Sequence, residues 1–423
     1  MPWAFLAFCA VFSLLAANAW WPIRREPFNV ASFALGWIPS ELPLHMAAIV
    51  VAGIALHLAV GGPAGWAAWV GLVAAAVSVV GFLGLAWSAH GARALVVQAL
   101  ADVIDDSVSE PSVDLAPQWT RWWRLVVAVP FRLRGIRRQR NIDYWGDGNY
   151  RHKLDILSRR EALPDRAPVL IYIHGGGWVT GDKRHQGIPM MHELVSRGWV
   201  CVSINYRLSP QATWPAQVID CKRALSWVRE HIGEYGGDPG FIALSGGSAG
   251  GHLCTLVALT PGIDAWQPGF ERSDTRVDAC VPFYGVYDVT AGPEGSGAYG
   301  PGLGKLLERQ VMKTTRAINP GLFEAASPDR RITPSAPPMF VLHGLNDTMV
   351  PPQVGRTFVE RLRAVSQAPV AFVELPQGQH AFDILASMRT RHTTMGVVHF
   401  LEWVRHRAAA EAESVRPLDG IAP

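Results

Sequence analysis

The sequence predicts an α/β protein with a mostly parallel central sheet, preceded by about three apolar helices of membrane-spanning length. Three observations carry this reading. Beyond Asn141, short apolar runs alternate with helix-like ones, which implies crossover connections between parallel strands. Before Arg93 the 423-residue chain is almost free of charge: no Asp, Glu, Lys or Arg precedes Arg24, and none falls between Glu41 and Arg93. Two glycine-framed turns, at His174 to Trp178 and Gly246 to Gly250, each follow a strand-like segment. The carboxyl ends of the strands are where sites form in such sheets.

The uncharged start divides into three spans, roughly Pro2 to Trp21, Leu42 to Val60 and Trp66 to Trp87. A hydrocarbon core takes about 20 apolar residues per helix, so the stretch from Leu42 to Ala92 is too long for one crossing and fits two. Gly61, Gly62, Pro63 and Gly65 break it where a hairpin turn is needed. Trp20, Trp21, Trp66 and Trp87 fall near the expected interfaces as aromatic anchors. The first span also resembles a cleaved secretory signal, since it ends among Ala16, Ala17 and Ala19, but it lacks a positive start. Arg24 and Arg25 follow the first span and a dense arginine cluster follows the third. The charge bias therefore puts the large C-terminal part in the cytoplasm, with residues 1–92 as a multi-pass membrane region.

Residues 93–140 form a connector whose charge switches sign. From Ala94 to Thr120 every charged residue is acidic; from Arg121 to Arg140 there are seven arginines and no acid. Trp119, Trp122, Trp123 and Val126 share one helical face, which fits a helix lying among anionic lipid head groups or one packed on the catalytic part. Pro130 is expected to end it. The net charge of +3 makes no case for nucleic acid. Five scattered cysteines without a CxxC spacing imply neither a zinc site nor a disulfide framework.

Residues 141–423 read as one catalytic domain. Strands are expected at Lys153 to Leu157, Val169 to His174, Val200 to Asn205, Phe241 to Leu244, Val277 to Phe283, Met339 to His343 and Val370 to Leu375. Helices are expected near Met190 to Arg197, Ala216 to Ile232, Ala249 to Leu259, Gln353 to Val365 and Met388 to Arg407. The run Gly292 to Gly304, followed by the basic stretch Lys305 to Arg316, reads as a cap over the site or as a surface insertion.

Gly246-Gly247-Ser248-Ala249-Gly250 lies between a strand and a helical run, the setting that exposes a serine hydroxyl at the apex of a tight turn. The helix start favours negative charge beside Ser248. A lone G-x-S-x-G is weak evidence; its place after a strand strengthens it. Consecutive glycines at 175, 176 and 177 let backbone N–H groups turn inward toward a substrate. Asp347 and His380 each follow an apolar strand, giving the chain order Ser, Asp, His. Asp288 is a rival acid; His343 and His252 are weaker rival bases. Trp178, Tyr206, Phe283, Tyr284 and Phe382 flank this constellation, as pocket walls or as core.

With these motifs, Asn205-Tyr206-Arg207-Leu208-Ser209-Pro210 and Gly237-Asp238-Pro239, the chain from about Asn141 to Ala408 resembles the α/β-hydrolases of the hormone-sensitive-lipase-like carboxylesterase branch. The resemblance implies Ser248 as nucleophile, His380 as base then acid, and Asp347 as its orienter. It also implies an oxyanion hole from the N–H groups of Gly176, Gly177 and Ala249, and no cofactor or metal. One departure is Gly247, where many members carry an acidic residue. Arylformamidase-like amide hydrolases and prenylcysteine methylesterases share this architecture, and a membrane scaffold with a retired hydrolase domain is the non-enzymatic alternative. The membrane setting points to lipophilic ester substrates and to contact with membrane lipids.

Overall fold

The computed structural model describes residues 2–104, 128, 135–161, 166–290 and 301–414. Its first part holds four helices: α1 (Pro2–Trp20), α2 (Asn29–Glu41), α3 (Pro43–Val60) and α4 (Trp66–Ala101). Three of them, α1, α3 and α4, are long and apolar enough to cross a membrane. α1 and α4 pack closely because small residues face each other. The Ser13 and Ser78 hydroxyls lie 2.9 Å apart, and the Trp20 indole N–H donates to the Gly81 carbonyl at 3.0 Å.

The outer face of α4 is apolar and bare. Val70, Val73, Val77, Val80 and Leu83 recur at helical spacing and are exposed, bracketed by exposed Trp66 and Trp69 at one end and exposed Trp87 at the other. At 1.5 Å per residue, Trp66 and Trp87 lie about 30 Å apart along the axis. α4 does not stop there. It continues to Ala101, so the expected boundary between residues 92 and 93 falls inside a helix. Its last turns bury Val96 and Leu100 against the same apolar cluster as Phe340, Val397 and Phe400.

The second part is built on an eight-stranded sheet: β1 (Ile136–Asp143), β2 (Lys153–Arg159), β3 (Ala167–Ile173), β4 (Val200–Ile204), β5 (Gly237–Gly247), β6 (Ala279–Phe283), β7 (Met339–Gly344) and β8 (Val370–Leu375). Their spatial order is β1-β2-β4-β3-β5-β6-β7-β8. β2 runs antiparallel to both β1 and β4, and the remaining pairs are parallel. Strands β3 and β4 are buried almost throughout because helices cover both faces of the sheet. Those helices include α5 (Ile188–Ser196), α6 (Ala216–His231), α7 (Ala249–Leu259), α8 (Pro301–Leu306), α9 (Pro320–Ala325), α10 (Pro352–Val365) and α11 (Met388–Ser414).

β1 departs from the sequence reading, which assigns residues 136–140 to the connector. Its three arginines hide the alternation expected of a strand, yet charge on an edge strand is a common guard against further pairing. Arg138 pairs with buried Asp155 at 2.8 Å, and the Asn141 N–H donates to the same carboxylate across a bulge. The Trp119 to Val126 face and Pro130 lie outside the described residues.

Candidate active site

The loops that follow β3, β5, β7 and β8 leave the sheet on one edge, and each brings a candidate residue. Ser248 stands between β5 and α7 with φ 57° and ψ −120°. This conformation costs a non-glycine residue on the order of 1–3 kcal/mol, so the surroundings must hold it. They do so by close approach: a Cβ at Gly250 would collide with the Ile173 carbonyl, and one at Gly246 would meet the Gly250 carbonyl at 2.6 Å. The Ser248 N–H donates to the Phe283 carbonyl at 3.0 Å. Gly247 has its own reason. A Cβ there would lie 2.7 Å from the Tyr284 hydroxyl, so this aromatic fills the space that a side chain at 247 would take.

The glycine run after β3 wraps against this elbow. Gly176 and Gly177 have positive φ, and an ideal Cβ at Gly175 would lie 3.2 Å from the Ser248 Cβ. The Gly175 N–H is engaged by the Gln186 side chain at 2.7 Å. Among the described residues, the N–H groups of Gly176 and Gly177 have no acceptor, and Ala249 opens α7, where a first-turn N–H lacks a helical partner. Among the described residues, these three N–H groups are therefore available beside the elbow.

His174 anchors the run from below. Its Nδ1 meets the Gly175 carbonyl at 2.8 Å, its ring stacks on Tyr206 at 4.4 Å, and burial pushes its pKa down to about 4. The Tyr206 hydroxyl donates to the His174 carbonyl. Trp178 donates its indole N–H to His252 Nδ1 at 3.3 Å. Trp178, Tyr206, Phe283, Tyr284 and Phe382 are each no more than 2% exposed, so all five are packed beneath the loops. The cap expectation over Gly292 to Gly304 falls partly outside the described residues. The part that is described, α8, approaches the glycine loop: a Cβ at Gly177 would touch Leu306 at 3.2 Å.

Asp347 and His380 meet across the β7 and β8 loops, with Asp347 Oδ2 2.7 Å from His380 Nδ1. Asp347 Oδ1 accepts the N–H groups of Met349 and Val350 at 2.8 Å each. Burial alone would raise this carboxyl, but the charges and hydrogen bonds of His380 and His343 outweigh it and hold the group well below the carboxylate range. No direct hydrogen bond joins Ser248 to His380 among the described residues. The rivals are otherwise engaged. His343 Nε2 meets the Val350 carbonyl and lies 3.4 Å behind Asp347, His252 Nε2 meets the Ala326 carbonyl, and Asp288 accepts from Thr290.

Two features escape sequence reasoning. Gln379 is buried, and its Oε1 accepts the backbone N–H of both Thr348 and His380 at 2.9 Å, locking the Asp347 loop to the His380 loop. α2 lies alongside: Trp37 donates to the Ala381 carbonyl at 2.9 Å, Asn29 and Thr348 exchange two bonds, and the Phe33 ring meets the His380 ring edge-on at 6.1 Å. The i, i+4 spacing of Phe33 and Trp37 is the one signal in the sequence that marks a helix face there. Among the described residues no group of three or more His, Cys, Asp or Glu is placed to hold a metal ion.

A serine at a strained strand-to-helix turn, on a mostly parallel sheet that begins with an antiparallel strand pair, defines the architecture of an α/β-hydrolase. The fold agrees with a solved carbohydrate esterase from gut microbiota, at a TM-score of 0.56 and 24% identity over 64% of this chain and 96% of that one. The chain belongs to the family of carboxylic ester hydrolases. It is 43% identical over 409 residues to a probable carboxylic ester hydrolase of Mycobacterium tuberculosis, LipM, spanning 94% of this chain and 92% of that protein. It is 40% identical to the esterase LipQ of the same organism, over 87% and 84% of the two chains. Residues 154–362 match the family model described as BD-FAE.

Proposed function

We propose that the chain is a membrane-attached serine carboxylesterase of the hormone-sensitive-lipase-like branch, acting on lipophilic esters through an acyl-enzyme. The observation that carries this is the convergence, on one sheet edge, of the Ser248 elbow, three free N–H donors and the Asp347–His380 pair. Ser248 Oγ attacks the ester carbonyl carbon while His380 Nε2 takes its proton. The negative charge that develops on the carbonyl oxygen is met by the N–H groups of Gly176, Gly177 and Ala249. The carbon–alkoxy bond then breaks, and the alcohol leaves with the proton from His380. Water repeats the cycle on the acyl-serine and releases the carboxylic acid. Asp347 holds the imidazole in the tautomer that leaves Nε2 free to accept.

Ser248→Ala is expected to abolish both turnover of a p-nitrophenyl ester and labelling by a fluorophosphonate. Retained turnover in that variant overturns the mechanism, and absence of labelling in the unaltered protein favours a retired scaffold.

Membrane attachment rests on the three apolar helices and on the bare stripe of α4, whose tryptophans are spaced by about one hydrocarbon thickness. With Arg24 and Arg25 on the catalytic side, the positive-inside rule puts the catalytic part in the cytoplasm. A C-terminal tag is then accessible to protease in inside-out vesicles and protected in sealed right-side-out ones; the reverse pattern overturns this topology.

A further inference from the structure

α2 has two faces. The inner one, Asn29, Ser32, Phe33, Gly36 and Trp37, is buried or half-buried against α1 and the loops of Asp347 and His380. The outer one exposes Leu35 and Ile38, with Phe28 and Val30 beside them at the helix start. That apolar patch is continuous with exposed Trp21 and Ile23 at the end of α1 and is flanked by exposed Arg24 and Arg25. Apolar side chains beside basic ones, at the end of a helix of spanning length, are the composition of an interfacial segment.

We infer that α2 is the wall of the substrate site on the bilayer side: its outer face is seated in the membrane interface, and Phe33 on its inner face contacts the hydrocarbon chain of a neutral, long-chain ester delivered from the lipid. This rests on the serine-esterase reading of Ser248 and His380. Three anchors fix α2 there without help from the membrane. Asn29 and Thr348 join it to the acid loop, Trp37 to the base loop, and the Glu41 carboxylate at its last residue pairs with buried Arg389. Next to it, the Glu26 carboxylate accepts the Gly302 N–H at 2.7 Å, so the same connection also borders α8 beside the glycine loop. The membrane part and the catalytic part therefore share one site.

The test uses the full chain in phosphatidylcholine vesicles. All five native cysteines are buried, so Leu35→Cys can be labelled selectively with an environment-sensitive fluorophore. The fluorophore is expected to be quenched by nitroxide-labelled lipid and shielded from aqueous iodide; the opposite pattern overturns the seating of α2. Separately, Phe33→Ala is expected to lower the ratio of kcat/KM for a dodecanoate over a butyrate p-nitrophenyl ester by roughly 10-fold, the scale of lost contact in an apolar pocket. Phe33→Leu, which keeps an apolar side chain, should lower it less. An unchanged ratio in Phe33→Ala overturns the role of Phe33. Fluorophosphonate labelling of Ser248 in each variant separates these outcomes from failure of the esterase reading: lost labelling in the unaltered chain removes that reading, while the quenching result still reports where α2 lies.

Discussion

Asp347 and His380 are joined so that neither carboxylate oxygen is left over: Oδ2 faces His380 Nδ1 at 2.7 Å, and Oδ1 holds two backbone N–H groups. An amide at this position keeps the shape and loses the acceptor. Asp347→Asn must either turn its NH₂ toward Nδ1, which reverses the imidazole tautomer, or toward the backbone donors, which breaks the loop. The expected result is a fall in kcat of roughly 10,000-fold with a small change in KM. A loss below about 10-fold on a p-nitrophenyl butyrate assay would assign the acid elsewhere, and Asp288 is the next residue to test.

Gln379 holds the same two loops together, and under the proposed mechanism it positions them without touching substrate. Truncation in Gln379→Ala strands the buried N–H groups of Thr348 and His380, each at a cost of about 1–3 kcal/mol. Turnover and the rate of fluorophosphonate labelling should fall together, by about 10-fold or more, while KM for the ester stays within a few-fold. A change in melting temperature with an intact labelling rate would reduce Gln379 to a purely structural part.

The residues that meet on the sheet edge are legible in the sequence because their cues are local. Ser248, Asp347 and His380 each follow an apolar strand within a few residues and have a glycine within three positions, where the chain approaches a neighbouring segment closely. α2 is not legible in that way. Gly36 and Pro39 weaken its helical signal, and its partner Ala381 lies 344 residues further along the chain. The flanking aromatics are ambiguous for the opposite reason: composition marks them as pocket or core alike, and the structure adds that Tyr206 packs under His174 and Phe382 on Tyr284. β1 is hidden because its arginines serve an edge, where burial does not dictate an alternating pattern.

His252 gives the protein an acid limit. Its Nδ1 accepts from the Trp178 indole and its Nε2 faces the Ala326 carbonyl, so the neutral ring satisfies both partners. A second proton would set N–H against N–H at Trp178. Burial accordingly pushes the pKa down to about 4, against about 6.5 in an unfolded chain. Because the folded value is depressed, the stability this group contributes is complete above about pH 6.5 and is lost as pH falls toward 4. The melting temperature should drop across that window, and His252→Gln should flatten part of the drop. An equal slope in the variant would remove His252 from the account.

Tyr284 and Gly247 compete for one space. In Gly247→Ala the new methyl would lie 2.7 Å from the Tyr284 hydroxyl, which donates to buried Asp383 while its ring packs 4.5 Å from His380. Overpacking of this kind costs about 1–3 kcal/mol and displaces the ring that backs the imidazole. Both melting temperature and kcat should fall. Tyr284→Phe removes the nearest atom, so adding it to Gly247→Ala should cost less than it does alone, a coupling that a double-mutant cycle reads directly. Strict additivity would show that the two positions do not share the space.

The Glu41–Arg389 pair ties α2 to α11 with both side chains fully buried, and the Ser387 hydroxyl also donates to Glu41. Two charges withdrawn from water contribute little net stability together, but either one alone is left uncompensated, at a cost of about 3–5 kcal/mol. Arg389→Met should therefore destabilise strongly and loosen the N-terminal helices from the sheet domain, seen as faster proteolysis in the 22–41 segment. Adding Glu41→Gln removes the orphaned charge and should recover most of the loss, since Gln still accepts from Ser387. If the double variant is as unstable as Arg389→Met, the pair is held for the hydrogen bonds of the guanidinium to the Ser40 and Pro376 carbonyls, and the charge of Glu41 is incidental.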